Sequence, residues 1–227
     1  MLVVFALIAF WPNYISDPLS KNVHFHLHAL AMSLWCAFLI TQPLLIRSGN
    51  RSLHRKIGGY SYVFAALVPV SILLLNHHRA QADVLEPFRM WLFTANLGDV
   101  FLFTLAYVLA MKSRKAPALH ARYMVCTGLV LIPAIFDRVF SQYLLSQTAL
   151  DALPALGGTP LTVLPSYAMV FLIFTCLALW DRSAKKDEQA FSLMGVVFTL
   201  IYVLPFLLIQ TPFWKGFLVW YVSLPLS

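Results

Sequence analysis

The stretch "FHLHALAMSLWCAFLITQPLLI" (Phe25–Ile46) contains no Asp, Glu, Lys or Arg. At about 1.5 Å of rise per residue, a helix of this length covers the ~30 Å hydrocarbon core of a bilayer. Inside hydrocarbon each backbone N–H and C=O must find its partner within the segment, so an uncharged run this long reads as a helix. A transmembrane barrel would instead need short segments of alternating polarity, and none occurs here. The pattern returns at Gly59–Leu75, Phe88–Met111, Leu119–Leu145, Leu161–Trp180 and Ala190–Ile209. The chain of 227 residues is 60% hydrophobic and 11% charged, with a mean hydropathy of +0.78. That balance excludes an ordinary soluble domain.

The expected fold is therefore an all-α polytopic membrane bundle in one integral domain over residues 1–227. Six transmembrane helices are joined by a short N-terminal apolar helix, giving a seven-helix bundle. The opening run Met1–Trp11 spans only about 16 Å as a helix, so it reads as a half-span or as the end of a longer helix. It lacks the basic start and small-residue cleavage site of a secretory signal.

The basic residues order the connections. Arg47, Arg51, Arg55 and Lys56 lie in the first, Lys112, Arg114, Lys115 and Arg122 in the second, Arg182, Lys185 and Lys186 in the third. The opposite connections carry only Lys21, Arg79, Arg89 and Lys215. By the positive-inside rule the loops at 47–56, 112–122 and 182–186 face the cytoplasm of a bacterial inner membrane. The net charge of +7 is then a topology signal with some attraction to anionic membrane lipids. Basic residues scattered over three short loops do not make a nucleic-acid surface, and no nucleic-acid partner is expected.

Within this plan, residues 25–145 form a four-helix core and 161–209 add two further spans. The tail from 211 to 227, with Trp214, Trp220 and Tyr221, reads as an interfacial aromatic anchor. The longest polar connections are Asn76–Pro87 and Ser146–Pro160, the latter with the Pro/Gly loop "LPALGGTP". Pro69, Pro133, Pro165 and Pro205 should kink their helices. Cys36, Cys126 and Cys176 fall inside spans and read as small buried hydrophobes. "LHRKIGGYSYVFAALVPV" (53–70) and "LHARYMVCTGLVLIPAI" (119–135) share a Leu-His start, an Arg, an aromatic and a later Pro, a faint internal echo.

The histidines sort into two layers. His24, His26, His28, His77 and His78 lie at the outer ends of their helices, and His54 and His120 at the cytoplasmic ends. His28, Trp35 and Gln42, spaced by seven, share one helix face. His120, Thr127 and Arg138 fall nearly in line on another helix. Asp99 sits mid-span with Asn96 one turn before it, and Asp137 and Arg138 lie in the outer half of their span. Such groups are costly in lipid and mark either function or a structural ion pair. For Asp137 and Arg138 an outer polar network is the plain reading, with Arg138 reaching toward Asp83 or Glu86. Imidazole binds haem iron, Zn, Cu or non-haem Fe. It can equally meet lipid phosphate, loop carbonyls or water at an interface.

The pattern His26, His28, Trp35, Gln42, Leu45, His54, Arg55, Gly58, then His120, Arg122, Met124 and Arg138, resembles a family of uncharacterised bacterial multi-pass membrane proteins. The resemblance covers about Phe10 to Arg138. It implies this architecture and this residue set without a reaction. In plan the chain is also loosely similar to transmembrane b-type cytochromes, which hold haem between histidines of a four-helix core.

The leading expectation is a membrane protein that binds haem b or a transition metal (Fe, Cu or Zn) and exchanges electrons with quinone. The ligands would be His28 with His77 or His78 at the outer side, with His26 nearby, and His54 with His120 at the inner side. Arg55 and Arg122 would hold propionates or headgroups, with Trp35 and Gln42 shaping the interior. Two rival classes are a non-catalytic subunit docked in a larger membrane assembly and a proton-coupled transporter using Asp99. A retinal protein is disfavoured, because Ala190–Ile209 has no lysine for a Schiff base.

Overall fold

The structure is a computed structural model that describes residues 2–81, 83–144, 154–156, 159–184 and 189–226. Its spans begin and end where polar caps and prolines interrupt the apolar runs. Helix α1 (Leu2–Phe10) passes through a wide turn at Trp11–Ile15 toward α2 (Val23–Arg47). Asn22 caps α2 by accepting the His24 N–H at 3.1 Å, which satisfies one of the open donors of the first turn. At the far end Gly49 adopts φ 78°, a left-handed conformation that costs a residue without Cβ nothing.

The chain then enters α3 (Arg51–Gly58), capped by Asn50, whose side chain accepts the Leu53 N–H at 3.2 Å. This amphipathic helix occupies the stretch expected to be a cytoplasmic loop. Ile57 leans on the core while Arg51, Arg55 and Lys56 stay exposed.

Helix α4 (Ser61–Ala80) returns across, and α5 (Pro87–Lys112) crosses again. Glu86 starts α5 by accepting the N–H groups of Phe88 and Arg89 at 3.0 and 2.8 Å, with Pro87 at the first helical position, where no N–H is needed. The next span comes in two pieces, α6 (Pro117–Leu129) and α7 (Ile132–Val139), continued by a wide turn at Phe140–Leu144. The break at Val130–Leu131 precedes Pro133, which cannot donate to the Leu129 carbonyl four residues back. Helices α8 (Leu164–Ser183), α9 (Ala190–Leu208) and α10 (Pro212–Val222) complete the described chain.

Among the described residues six helical segments are long and apolar enough to cross a membrane, with α6 and α7 counted as one. The protein is thus a polytopic helical membrane bundle. Most of the loop expected over Ser146–Pro160 lies outside the described residues. Its described part holds a two-residue antiparallel ladder pairing Ala155 with Pro160 and Leu156 with Thr159. Lys185 and Lys186 of the third basic loop also lie outside the described residues.

Helices α2, α4, α5 and α6 pack in a closed ring, each against the next and α6 back onto α2. Trp35, Val68, Leu102, Ala106 and Cys126 are fully buried in the core they share with α8 and α9. Helix α9 lies against α5, α6 and α8, while α7 packs on α1 and α8. The α5–α9 contact is close because Gly98 has no side chain: a Cβ there would come within 2.5 Å of Ile201 Cγ2. Small residues let helix backbones approach in lipid, where dispersion and not the hydrophobic effect drives association.

The aromatic tail forms a helix docked on the bundle. In α10, Trp214 Nε1–H donates to Thr94 Oγ1 at 2.8 Å and Tyr221 O–H to the Leu73 carbonyl at 3.1 Å. Leu218 beneath them is fully buried.

Candidate functional site

At the histidine-rich end, the ring pair that forms is His24 with His78, stacked at 5.0 Å with 15° between planes. His24 Nδ1 also reaches Asn22 Oδ1 at 2.7 Å. His26 Nδ1 meets the Tyr14 hydroxyl at 2.7 Å. One turn deeper, His28 Nδ1 lies 3.1 Å from Ser71 Oγ. Ser71 gives its own hydrogen to the Val68 carbonyl at 2.8 Å, so the imidazole must be the donor, and Nε2 keeps its lone pair.

The expected pairing of His28 with His77 or His78 does not form. His77 is six residues from Ser71, which turns it about 120° away on α4. It faces Tyr221 of α10, ring centroids 5.4 Å apart, fully buried and with neither ring nitrogen bonded. His78, seven residues from Ser71, shares that residue's face but lies further out and meets His24.

At the basic end, His120 Nδ1 lies 2.8 Å from the Ala110 carbonyl. A carbonyl only accepts, so Nδ1 carries the proton and Nε2 is again the free lone pair. His54 does not bond to His120; its buried Nδ1 has no partner. Gln42 is buried with Nε2 unbonded and Oε1 3.8 Å from where a Cβ on Gly58 would sit. Trp35 is fully buried between Phe103 and Tyr107, at 5.0 and 5.7 Å, and its Nε1–H is unpaired. Tyr107 shares a 2.9 Å hydrogen bond with Ser61, which donates to the Gly58 carbonyl. Arg55 is exposed. Arg122, expected to hold propionates or headgroups, is engaged by Asp181 through Nε and Nη2, both at 2.7 Å. It also donates to the Ala118 carbonyl at 3.0 Å.

A third group converges in the middle of the membrane and beyond it toward the histidine-rich end. Tyr202 of α9 donates its hydroxyl to Asp99 of α5. The Tyr202 ring lies 4.2 Å from that of Tyr167 on α8, and Tyr167 is within electrostatic range of both Asp99 and Asp137 of α7. Asp137 Oδ1 is buried and unbonded. Arg138 does not reach Asp83 or Glu86. Its guanidinium lies 4.6 Å from the centre of the Phe10 ring and donates to the Ala134 carbonyl at 2.5 Å. It and Arg79 are within electrostatic range of His28. Asn96 donates to Asn76 at 3.0 Å, and Asn76 donates to the Phe93 carbonyl at 3.2 Å.

Sequence reasoning placed Asp99 and Asp137 but missed Tyr167 and Tyr202. A tyrosine inside an apolar span is the signal that points to a buried hydroxyl needing a partner. Asp181 was missed too. Its sign and depth, opposite Arg122 at the basic end of a neighbouring span, were the available clue.

Chemically, carboxyls and phenols in sequence can pass a proton. The imidazoles with Nδ1 anchored present Nε2 as a ligand or acceptor. Among the described residues no group of three or more His, Cys, Asp or Glu side chains converges to hold a metal ion. Comparison of the chain with protein-family models, curated proteins and solved structures gives no match.

Proposed function

We propose that the protein is a proton-coupled transporter in which Asp99 takes up and releases the proton. The observation that supports this reading is the hydrogen bond from Tyr202 to Asp99 at mid-span, with the Tyr167 ring packed on that of Tyr202, so that three helices meet at the buried carboxyl. An ionisable side chain at mid-span is a functional group by default when named partners surround it. On the next turns of α5, Leu102, Phe103 and Ala106 are packed almost without exposure. On the preceding turns Met90, Trp91, Thr94 and Ala95 are buried as well, so the polar group is enclosed along α5 in both directions.

Proteoliposomes loaded with a pH-sensitive dye test this under an imposed potential. Proton entry should fall by an order of magnitude or more in Asp99→Asn, and less in Tyr202→Phe. An unchanged rate in Asp99→Asn rejects the reading.

A second reading, a haem b protein exchanging electrons with quinone, draws on the anchoring of His28 and His120. Donation from Nδ1 to a hydroxyl or carbonyl orients an imidazole and frees Nε2 for iron. A porphyrin supplies four ligands itself, so one or two imidazoles suffice, whereas Zn, Cu or non-haem Fe held by protein alone needs a larger cluster. The donor set thus fits a haem better than a protein-only metal site, and His28 and His120 are the residues that would hold it. Trp35, Leu102 and Phe103 fill the level between the two imidazoles, which counts against one haem spanning both. A Soret band lost in His28→Ala or His120→Ala would establish this reading; purified protein with neither a Soret band nor stoichiometric iron rejects it. A role as a docked, non-catalytic subunit is the outcome if both tests fail and fixed partners co-purify.

A further inference from the structure

At the basic end, between α4 and α5, a groove of about 640 Å³ is lined by Tyr62, Tyr107, Val108, Met111, Lys112, Arg114 and Lys115. None of these residues belongs to the proton relay. The chemistry of the groove changes with depth. Val108 and Met111 precede Lys112 on the last turns of α5, so apolar surface lies on the membrane side and three cations lie at the rim. Tyr62 and Tyr107 stand at 84° to each other, ring centroids 6.3 Å apart, as one wall. Tyr62 and Val108 are exposed, as is Val63 beside Tyr62, which extends the apolar strip down the lipid-facing side.

The cations are available. Arg114 Nη1 rests on the Tyr62 hydroxyl at 3.3 Å, which holds the guanidinium over the groove without neutralising it. No carboxylate lines the groove, and among the described residues Lys112, Arg114 and Lys115 form no ion pair. An amphiphile with a negative head and an apolar tail matches this arrangement. A zwitterionic headgroup brings its own cation toward three others and fits worse. We propose that the groove is a specific site for an anionic phospholipid, its phosphate between Lys112, Arg114 and Lys115 and its acyl chain along Tyr62 and Val108.

The test uses the full chain, purified in mild detergent with equal phosphatidylglycerol and phosphatidylcholine, and reads bound lipid by native mass spectrometry. One phosphatidylglycerol should be retained, with a preference of at least about tenfold and up to about a hundredfold if the three cations act independently. The variant Lys112→Gln/Arg114→Gln/Lys115→Gln should lose that preference, since interfacial cations each contribute about fivefold to anionic-lipid attraction. The matched variant Arg51→Gln/Arg55→Gln/Lys56→Gln removes the same charge from α3 and should keep it. Tyr62→Phe, which frees Arg114 while leaving every charge, should weaken retention by a smaller factor and serves if the triple variant misfolds. Equal retention by the groove variants overturns the site. Equal loss from the α3 variant reduces it to general surface charge. Displacement of the lipid by millimolar inorganic phosphate reassigns it to free phosphate. Each of these outcomes rejects the lipid assignment.

Discussion

Removing Asp181 should be among the most damaging single changes to the stability of the bundle. Arg122 and Asp181 join α6 to α8 through two parallel bonds of 2.7 Å, with side-chain exposures of only 11% and 9%. An exposed ion pair is worth about 0–1 kcal/mol. One this buried behaves differently, because truncating one member takes from the other its bidentate counter-charge where water has little access, at a cost of about 3–5 kcal/mol. Asp181→Ala and Arg122→Ala should each cost that much, read by chemical unfolding in detergent micelles of fixed composition. The pair replaced together by Arg122→Met and Asp181→Leu should come within about 1 kcal/mol of the starting protein, since the desolvation cost disappears with the charges. The cycle is diagnostic because the double variant is more stable than either single one. Singles that cost less than about 1 kcal/mol would show that water reaches the pair, and the argument from burial would be wrong.

Three further outcomes follow from the packing. His77→Leu should stabilise the protein by about 1–3 kcal/mol, because two buried ring nitrogens without partners are removed from an apolar box; a loss of stability in thermal unfolding would mean that the imidazole has a bonded partner. Gly98→Ala should destabilise by about 1–3 kcal/mol through overpacking against Ile201, and adding Ile201→Ala should recover most of that in the same assay. Trp214→Phe removes the bond to Thr94 and should loosen α10, seen as faster proteolysis after Gln210 with the six spans left intact.

The spans were legible because charge-free length is a coarse and sufficient signal. Phe88–Met111 became Pro87–Lys112, and Ala190–Ile209 became Ala190–Leu208. Seven-residue spacing also placed Trp35 and Gln42 on one buried face, since helix periodicity is local geometry. Helix α3 was missed because "HRK" reads as a polar loop, although Asn50 with Leu53 and Ile57 four apart marks a capped amphipathic turn. The partners across helices were not legible. Whether His78 meets His24 or His28 depends on the rotation and depth of α4 against α2, which packing along the whole interface decides. Tyr167 and Tyr202 escaped for the same reason: within an apolar span, a phenol looks like any aromatic until a carboxylate is seen beside it.

The two-piece α6–α7 span gives the molecule an articulation. Helix α6 belongs to the four-helix ring, whereas α7 is held by α1 and α8, and the joint between them falls where Pro133 leaves a carbonyl without its helical donor. Bending costs least there. A small swing at Val130–Leu131 would carry Asp137 and Arg138 as one arm against a stationary Asp99, lengthening or shortening the distance between the two carboxyls.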